Sequence, residues 1–529
     1  MVMIYQPLRE LLRDISAITS EGIKLWQLLL PNAVLVLLEL VSLYLLVKLM
    51  GSMLSAAQGV PIDIQAALGV AGLLVLKSAL NASTGKLIYR LYARNETLLR
   101  QSILERARAA PSSFLRARSV ETITHQVNNY PPNMTYGVYL QVVKLFSDLA
   151  VVLSIFVALL IRNPSLTVMI VVIFGVIAVL LANYTMRFSA RAGKVNEAST
   201  IKFVNTLSRY IGARNEIASC RLDRMFLDEL GRINVALSTA HADISFAAHI
   251  PRFAFDAVSA IGIVMLVGAV DMGIARFDQQ DLAFGLAAAF KIAPYLTSIL
   301  GVFMQINFSR SVMDGYQQVM AAMTEPKVGN PRILARLDTT PEVEVTLSQE
   351  GKVHCRARLG DVLIIKGRSG SGKTTIAELL SDLAEGRVSG GQAPLANVAG
   401  RRLLAFCSQF PTVLNTSLQD NVATYDDVAT GPVVDALLTR YGLGHLAGVP
   451  ELNEVTLSGG ERQRIGIVRT LSHAALVTIF DEPTASTGTI YADLLKQDLQ
   501  RLAHAGSVVV VVTHDTLFDD IATCQFELP

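Results

Sequence analysis

The chain has 529 residues, 51% of them hydrophobic and 17% charged, and a mean hydropathy of +0.43, which is high for a soluble protein. A net charge of +2, from 46 Lys and Arg against 44 Asp and Glu, argues against nucleic acid as a partner by bulk electrostatics. The four cysteines, Cys220, Cys355, Cys407 and Cys524, are scattered, with no CxxC pair and no histidine spacing suited to zinc, so neither a disulfide nor a metal role is expected of them.

In chain order, six apolar runs come first: Trp26 to Leu49, Ile64 to Leu80, Val138 to Ile161, Leu166 to Ala182, Phe253 to Val270 and Leu282 to Val302. Most have the ~17–25 residues that a spanning helix requires, and the lipid bilayer is therefore an expected partner. The first is too long for a signal-peptide core and lacks a convincing cleavage region, so it is expected to stay in the membrane. Lys86 to Met134 and Arg187 to Arg252 are basic, whereas the connections 50–63, 162–165 and 271–281 hold only Arg162 and Arg276. The positive-inside rule then places the two basic segments and both termini of a multi-pass membrane protein in the cytoplasm. Those segments are helix-compatible and predict long cytoplasmic extensions of spans two to five.

Residues 109–129 interrupt the first pair of extensions with Pro111 and suit a short transverse helix; an ordinary solvated loop is the alternative. Several charges fall within the spans: Glu39, Lys77, Lys144, Asp148, Asp256 and Lys291. Buried ionisable groups need partners, and depth suggests Glu39 with Lys77, Asp256 with Lys291, and Lys144 with Asp148 at i, i+4. Thr324 to Pro331 carries two prolines and a glycine, as a linker would. The domain reading is a transmembrane domain over 1–323, a linker over 324–340 and a nucleotide-binding domain over 341–529.

Asp361 to Lys366 reads as a buried strand that runs into Gly367, Arg368, Ser369, Gly370, Ser371, Gly372, Lys373, Thr374 and Thr375, followed by a helix over Ile376 to Leu383. Strand, G-x-x-x-x-G-K-[ST] and helix together form a phosphate-binding loop: backbone N–H groups close on the phosphates, Lys373 reaches the terminal ones, and Thr374 is a ligand for Mg²⁺. A second apolar strand, Ala474 to Phe480, ends in Asp481 and Glu482. Asp481 would hold the magnesium through water and Glu482 would polarise the attacking water as general base. A third strand, Ser507 to Val512, delivers Thr513 and His514 to the same edge, His514 as a contact for the γ-phosphate. Between these strands, LSGGERQR from Leu457 to Arg464 has small residues opening a helix, a second place for an anion.

This order of motifs closely resembles the ATP-binding cassette (ABC) transporters, in particular exporter-type half-transporters with one membrane domain ahead of one ATPase domain. The resemblance covers nearly the whole chain and rests on the phosphate loop, Gln409 of AFCSQFP, the signature Leu457 to Glu461, the pair Asp481-Glu482, and His514. It implies a multidomain fold, a six-helix all-α transmembrane domain followed by an α/β P-loop ATPase domain, with ATP and Mg²⁺ as cofactors. It also implies that Gln409 joins the magnesium site to the rods, and that Ser458, Gly459, Gly460 and Glu461 meet the nucleotide of a partner subunit. The working unit would then be a dimer, favoured as a homodimer, with two sandwiched ATP molecules that drive export or flipping of an amphiphilic or peptide substrate by alternating access. An ATP-gated regulator or channel that switches without pumping is the alternative.

The sequence departs from the family pattern in three places. No aromatic residue occurs between Tyr316 and Phe406, and Leu347 stands near the usual adenine-stacking position. Gly488 replaces the usual aspartate after Asp481-Glu482-Pro-Thr484, and the stretch before the signature is shortened to Leu452 to Thr456.

Overall fold

The computed structural model describes residue 41 and residues 64–271, 279–324, 333–338, 344–349, 352–368, 370–385, 387, 402–422, 431–473 and 475–528. Contacts divide the chain into two units. The first gathers the described residues up to Arg108 and from Arg118 to Ala321; the second joins Ala109–Ala117 to the residues from Ala322 onward.

The first unit is helical. Helix α1 (Ile64–Ala109) has 46 residues, about 70 Å at 1.5 Å per residue and so longer than a bilayer core requires. A short helix in the second unit, α2 (Ser112–Arg116), starts at Pro111, whose fixed φ suits a helix entry. Helix α3 (Val120–Met134) is capped by Ser119, whose hydroxyl accepts from Thr122 N–H. Pro131 and Pro132 remove two N–H donors from α3, and the ladder slips into a π-helical turn, Thr135–Tyr139, before resuming as α4 (Leu140–Arg162). Then follow α5 (Pro164–Gly212), the short α6 (Arg214–Ser219), α7 (Asp223–Asp271) and α8 (Gln279–Thr324).

Three stretches among the described residues are long and apolar enough to cross a membrane: Val120–Arg162, Thr167–Gly212 and Lys291–Met323. The expected count of six is not established on these residues, because the run Trp26 to Leu49 lies outside them apart from residue 41. Val151, Ile155, Leu159, Ile170, Phe174, Phe255 and Ile292 form the unit's core, with Phe174 and Phe255 stacked at 5.8 Å. Leu153, Ile161, Val172 and Leu180 point outward, as side chains do when the surrounding medium is itself apolar. A side chain at Gly193 would run into the backbone of Phe308 at 2.1 Å, so α5 and α8 approach as closely as small residues permit.

Asp148 accepts a hydrogen bond from the Ser298 hydroxyl at 2.5 Å, which supplies a polar partner inside the bundle. Asp256 lies 3.9 Å from Arg252 on its own helix, so its described ion pair is not the expected one with Lys291. Glu39 and the side chain of Lys77 lie outside the described residues.

The second unit has two sheets. Strands β1 (Ile333–Asp338), β2 (Glu344–Gln349) and β3 (Lys352–Arg358) form an antiparallel sheet in that order. The other strands are β4 (Val362–Gly367), β5 (Leu404–Cys407), β6 (Val477–Asp481), β7 (Val508–Val512) and β8 (Cys524–Leu528). They pair in parallel in the order β5-β6-β7-β4-β8. Every residue of β6 and β7 is buried, which explains why β7 is five valines without alternation and β6 is apolar apart from Thr478 and the terminal Asp481.

Helix α9 (Lys373–Ala384) and the antiparallel sheet cover one face of the parallel sheet, through Ile376, Leu380, Leu347 and Cys355. The other face is covered through α11 (Gly431–Arg440), α12 (Gly459–Ser472) and α13 (Thr489–His504), and the short α10 (Leu418–Val422) joins the same cluster. Contrary to the sequence expectation, Cys355 on β3 and Cys524 on β8 are joined as a disulfide, with Cα atoms 6.4 Å apart and a sequence separation of 169. Scattered spacing concealed a pair that only the packing of the two sheets brings together.

Candidate functional site

Strand β4 carries the chain to the C-terminal edge of the parallel sheet, where the phosphate loop begins. Gly370 (φ 84°) and Gly372 (φ 98°) adopt left-handed backbone that other residues resist. Gly372 caps α9 without a side-chain hydrogen bond, so the first-turn N–H groups and the positive end of the helix dipole form an anion site. Lys373 is buried, and its Nζ donates to the carbonyl oxygens of Gly367 (2.8 Å) and Arg368 (3.2 Å). Ser371 Oγ is buried without a partner. Ser369 lies outside the described residues.

Next to this loop stand the carboxylates. Asp481 ends β6 opposite Val512 of β7, is 1% exposed, and its Oδ1 is buried without a hydrogen-bond partner. Burial raises its carboxyl above the usual carboxylate range, opposed by the Thr374 hydroxyl and by the charges of Lys373 and Arg116. Glu482 follows with φ 46°, a conformation rare outside glycine, and its N–H donates to the Val512 carbonyl at 2.8 Å. Its Oε2 lies 2.7 Å from His514 Nδ1 and its Oε1 3.8 Å from Lys373 Nζ. The structure therefore brings Lys373, Thr374, Asp481, Glu482 and His514 to one place. Gln409, two residues beyond β5, lies past the same strand ends and is partly exposed. The unsatisfied Asp481 oxygen beside the Thr374 hydroxyl is a hard oxygen set suited to Mg²⁺.

The signature forms a different arrangement. Ser458 is the N-cap of α12 and shares a capping box with Glu461: the Glu461 N–H donates to Ser458 Oγ at 3.2 Å, and Glu461 Oε2 accepts from Ser458 N–H at 2.8 Å. Ser458 Oγ also donates to Glu461 Oε2 at 2.7 Å, and His445 Nε2 lies 2.8 Å from Oε1. The Ser458 hydroxyl, followed by its N–H and by His445, lowers the Glu461 carboxyl to about 2. A side chain on Gly460 would meet the Ser486 carbonyl at 2.9 Å, which is why a glycine stands there. The S-x-x-E spacing signals this cap in the sequence, alongside the glycines that suggest an anion site.

Leu347, near the expected adenine platform, is fully buried between Ala335 and Cys355 and faces the core. It presents no surface to a base. Gly488 is the N-cap of α13 and offers no capping side chain.

Segment 109–117 supplies groups that local sequence patterns do not reveal. Ser112 donates its N–H (2.9 Å) and Oγ (2.8 Å) to the carboxylate of Asp382, a buried residue of α9 that also faces Arg387. Arg116 Nη1 donates to Thr375 Oγ1 at 3.0 Å, and Nη2 pairs with Glu378. These partners are 259 to 270 residues apart in sequence.

A parallel sheet with a glycine-rich loop, an Asp-Glu pair and a histidine at its strand ends defines a P-loop domain, here in a chain that also has helices long and apolar enough to cross a membrane. The family model described as ABC transporter transmembrane region matches residues 25–298, and that described as ABC transporter matches 351–485. The chain belongs to the ABC transporters, and it carries one region of each kind, the arrangement of a half-transporter.

Among curated relatives, the ATP-dependent lipid A-core flippase of Alkalilimnicola ehrlichii is 27% identical over 292 residues, 51% of this chain and 49% of the relative. The toxin RTX-III translocation ATP-binding protein of Actinobacillus pleuropneumoniae is 27% identical over 259 residues, 44% of this chain and 36% of the relative. The chain spans about half or less of the length of these relatives. A solved bacterial Atm1-family ABC exporter with ATP bound matches with a TM-score of 0.70 at 18% identity, over 96% of this chain and 94% of that one, a likeness of fold.

Proposed function

We propose that this protein is an ATP-driven exporter or flippase that moves an amphiphilic or peptide substrate across the plasma (bacterial inner) membrane. The observation that carries the reading is the meeting of Lys373 and His514 at the carboxylate of Glu482, next to the buried Asp481, one oxygen of which has no hydrogen-bond partner. The working unit is a homodimer with six spans per chain, the ATPase domain and both termini facing the cytoplasm, and domains at 1–323 and 341–529 joined by 324–340. The named functions of the two relatives, lipid A-core flipping and toxin translocation, support an amphiphilic or peptide cargo.

Each residue has a task that its position supports. Lys373 exchanges its two loop carbonyls for the terminal phosphates, and the N–H groups of residues 370–375 hold the phosphate chain. Glu482 accepts a proton from the attacking water, oriented by His514 until that histidine turns to the γ-phosphate. Thr374, Asp481 and Gln409 would hold Mg²⁺, which screens charge on the phosphates when bound. Ser458, Gly459 and Gly460 complete the partner subunit's site, and the closed dimer turns the membrane cavity outward. Hydrolysis releases the closed state.

Glu482→Gln should lower ATP turnover at least ~100-fold while leaving nucleotide affinity within about twofold. Unchanged hydrolysis would remove Glu482 from this role. Uptake by inverted vesicles, tested over peptides, lipids and drugs, separates a pump from a gated channel, because only a pump accumulates solute against its gradient.

A further inference from the structure

Arg116 is a cation held against the phosphate-loop helix that the scheme above leaves without a task. Its guanidinium reaches the Thr375 hydroxyl, on the third residue of α9 and next to Thr374, while its other terminal nitrogen pairs with Glu378 one turn along the same helix. The side chain remains 44% exposed, so it is held at its tip and not packed in place. Asp382, the other acid on this face, is taken by Ser112 and Arg387. The field of Arg116 extends to the metal-side carboxylate of Asp481.

A second observation gives this position a use. Base stacking by an aromatic residue is unavailable on β2, since Leu347 is buried in the core and no aromatic residue occurs from 317 to 405. Without it, the phosphates must carry a larger share of nucleotide affinity. A planar guanidinium at the first turn of the helix suits that need, because its fork of donors matches phosphate oxygens.

We infer that Arg116 is a nucleotide-positioning residue, passed from Glu378 to the phosphate chain when a nucleoside triphosphate enters the loop, and that it favours phosphate over base recognition. This inference rests on the phosphate loop being the nucleotide site. Glu378 then acts as a holding group that competes with the nucleotide for the same guanidinium. A merely structural bridge between segment 109–117 and α9 would behave differently, since both of its partners would be needed for the same outcome.

The two substitutions therefore separate the readings by sign. In the full-length protein in nanodiscs, the imido analogue of ATP is titrated calorimetrically. Arg116→Gln should weaken binding about tenfold, and Glu378→Gln should tighten it about threefold. Arg116→Lys, which keeps the charge and loses the fork, should fall between wild type and Arg116→Gln. The losses should be equal for the ATP, GTP and UTP analogues. Movement of both variants in the same direction, or no movement in Arg116→Gln with an unchanged melting temperature, would overturn the inference and leave a structural staple. Lys373→Ala provides the separate control: abolished binding there with Arg116→Gln unchanged removes only the role of Arg116, whereas undiminished binding in Lys373→Ala removes the loop as the nucleotide site.

Discussion

Glu461 closes the start of the signature helix on itself, and its carboxylate occupies both the hydroxyl and the N–H of Ser458. For Ser458 to meet a phosphate of another subunit, that carboxylate must release at least one of the two. The pKa of Glu461, lowered to about 2 by the hydroxyl and N–H of Ser458 and by His445, reflects the preference of this turn for the carboxylate. A group whose folded value lies below its unfolded one stabilises the fold above the unfolded value and loses that effect as pH falls through the folded one. The window is thus from the ordinary glutamate value of 4.5 down to about 2. Above about pH 5, Glu461→Gln should unfold earlier than wild type by a constant margin, on the order of 1 kcal/mol for a lost cap. Thermal unfolding followed across pH should show that margin shrinking below pH 4.5 and vanishing near pH 2. A gap that persists at pH 2 would mean that the carboxylate is not what holds the cap.

Among elements, α13 is the one with a visible vacancy in its design. Its N-cap Gly488 has φ −66° and ψ 161°, which any residue can adopt, and a side chain added there would meet nothing within 4 Å. Gly488→Asp should let the new carboxylate accept from the N–H groups of the first turn and meet the positive end of the dipole, a gain of about 0.5 kcal/mol. Amide exchange over residues 489–492 should slow roughly twofold, and unchanged exchange would argue that the turn before α13 is held elsewhere.

The same scale shows what a reader of the bare sequence can and cannot recover. Strand β4, the phosphate loop and α9 are legible because motif, strand and helix are consecutive, so local chemistry decides them. The burial of Leu347 follows from its alternation with Glu344, Thr346 and Ser348 on β2, near the place where the family pattern has an adenine-stacking aromatic. The π-helical turn lies at the start of an expected span and is traceable to Pro131 and Pro132 only afterwards, since prolines in a membrane helix can equally kink it. Arg116 with Thr375, Ser112 with Asp382 and Cys355 with Cys524 are pairs that no periodicity reports, because they join segments at least 169 residues apart through tertiary packing.

At the scale of the whole molecule, the chain carries one phosphate loop and one signature. The hydrogen bonds of Ser458 and Glu461 among the described residues stay within the signature turn and His445, and none reaches the phosphate loop. If each site takes its loop from one subunit and its signature from another, two defective chains can repair each other. Lys373→Ala removes the loop's cation and keeps the signature; Ser458→Arg fills the signature turn and keeps the loop. In a dimer of one of each, one site combines both defects, while the other combines an intact loop with an intact signature. Random pairing makes half the dimers mixed, each with one good site of two, so the mixture should hydrolyse ATP at about a quarter of the wild-type rate if sites act independently. Each variant alone should be near background. A site completed within a single chain predicts the opposite, since neither variant then holds a working site and mixing adds nothing. ATPase rates of the two variants co-reconstituted in nanodiscs decide between them, and an inactive mixture with confirmed mixed dimers would end the case for a shared site.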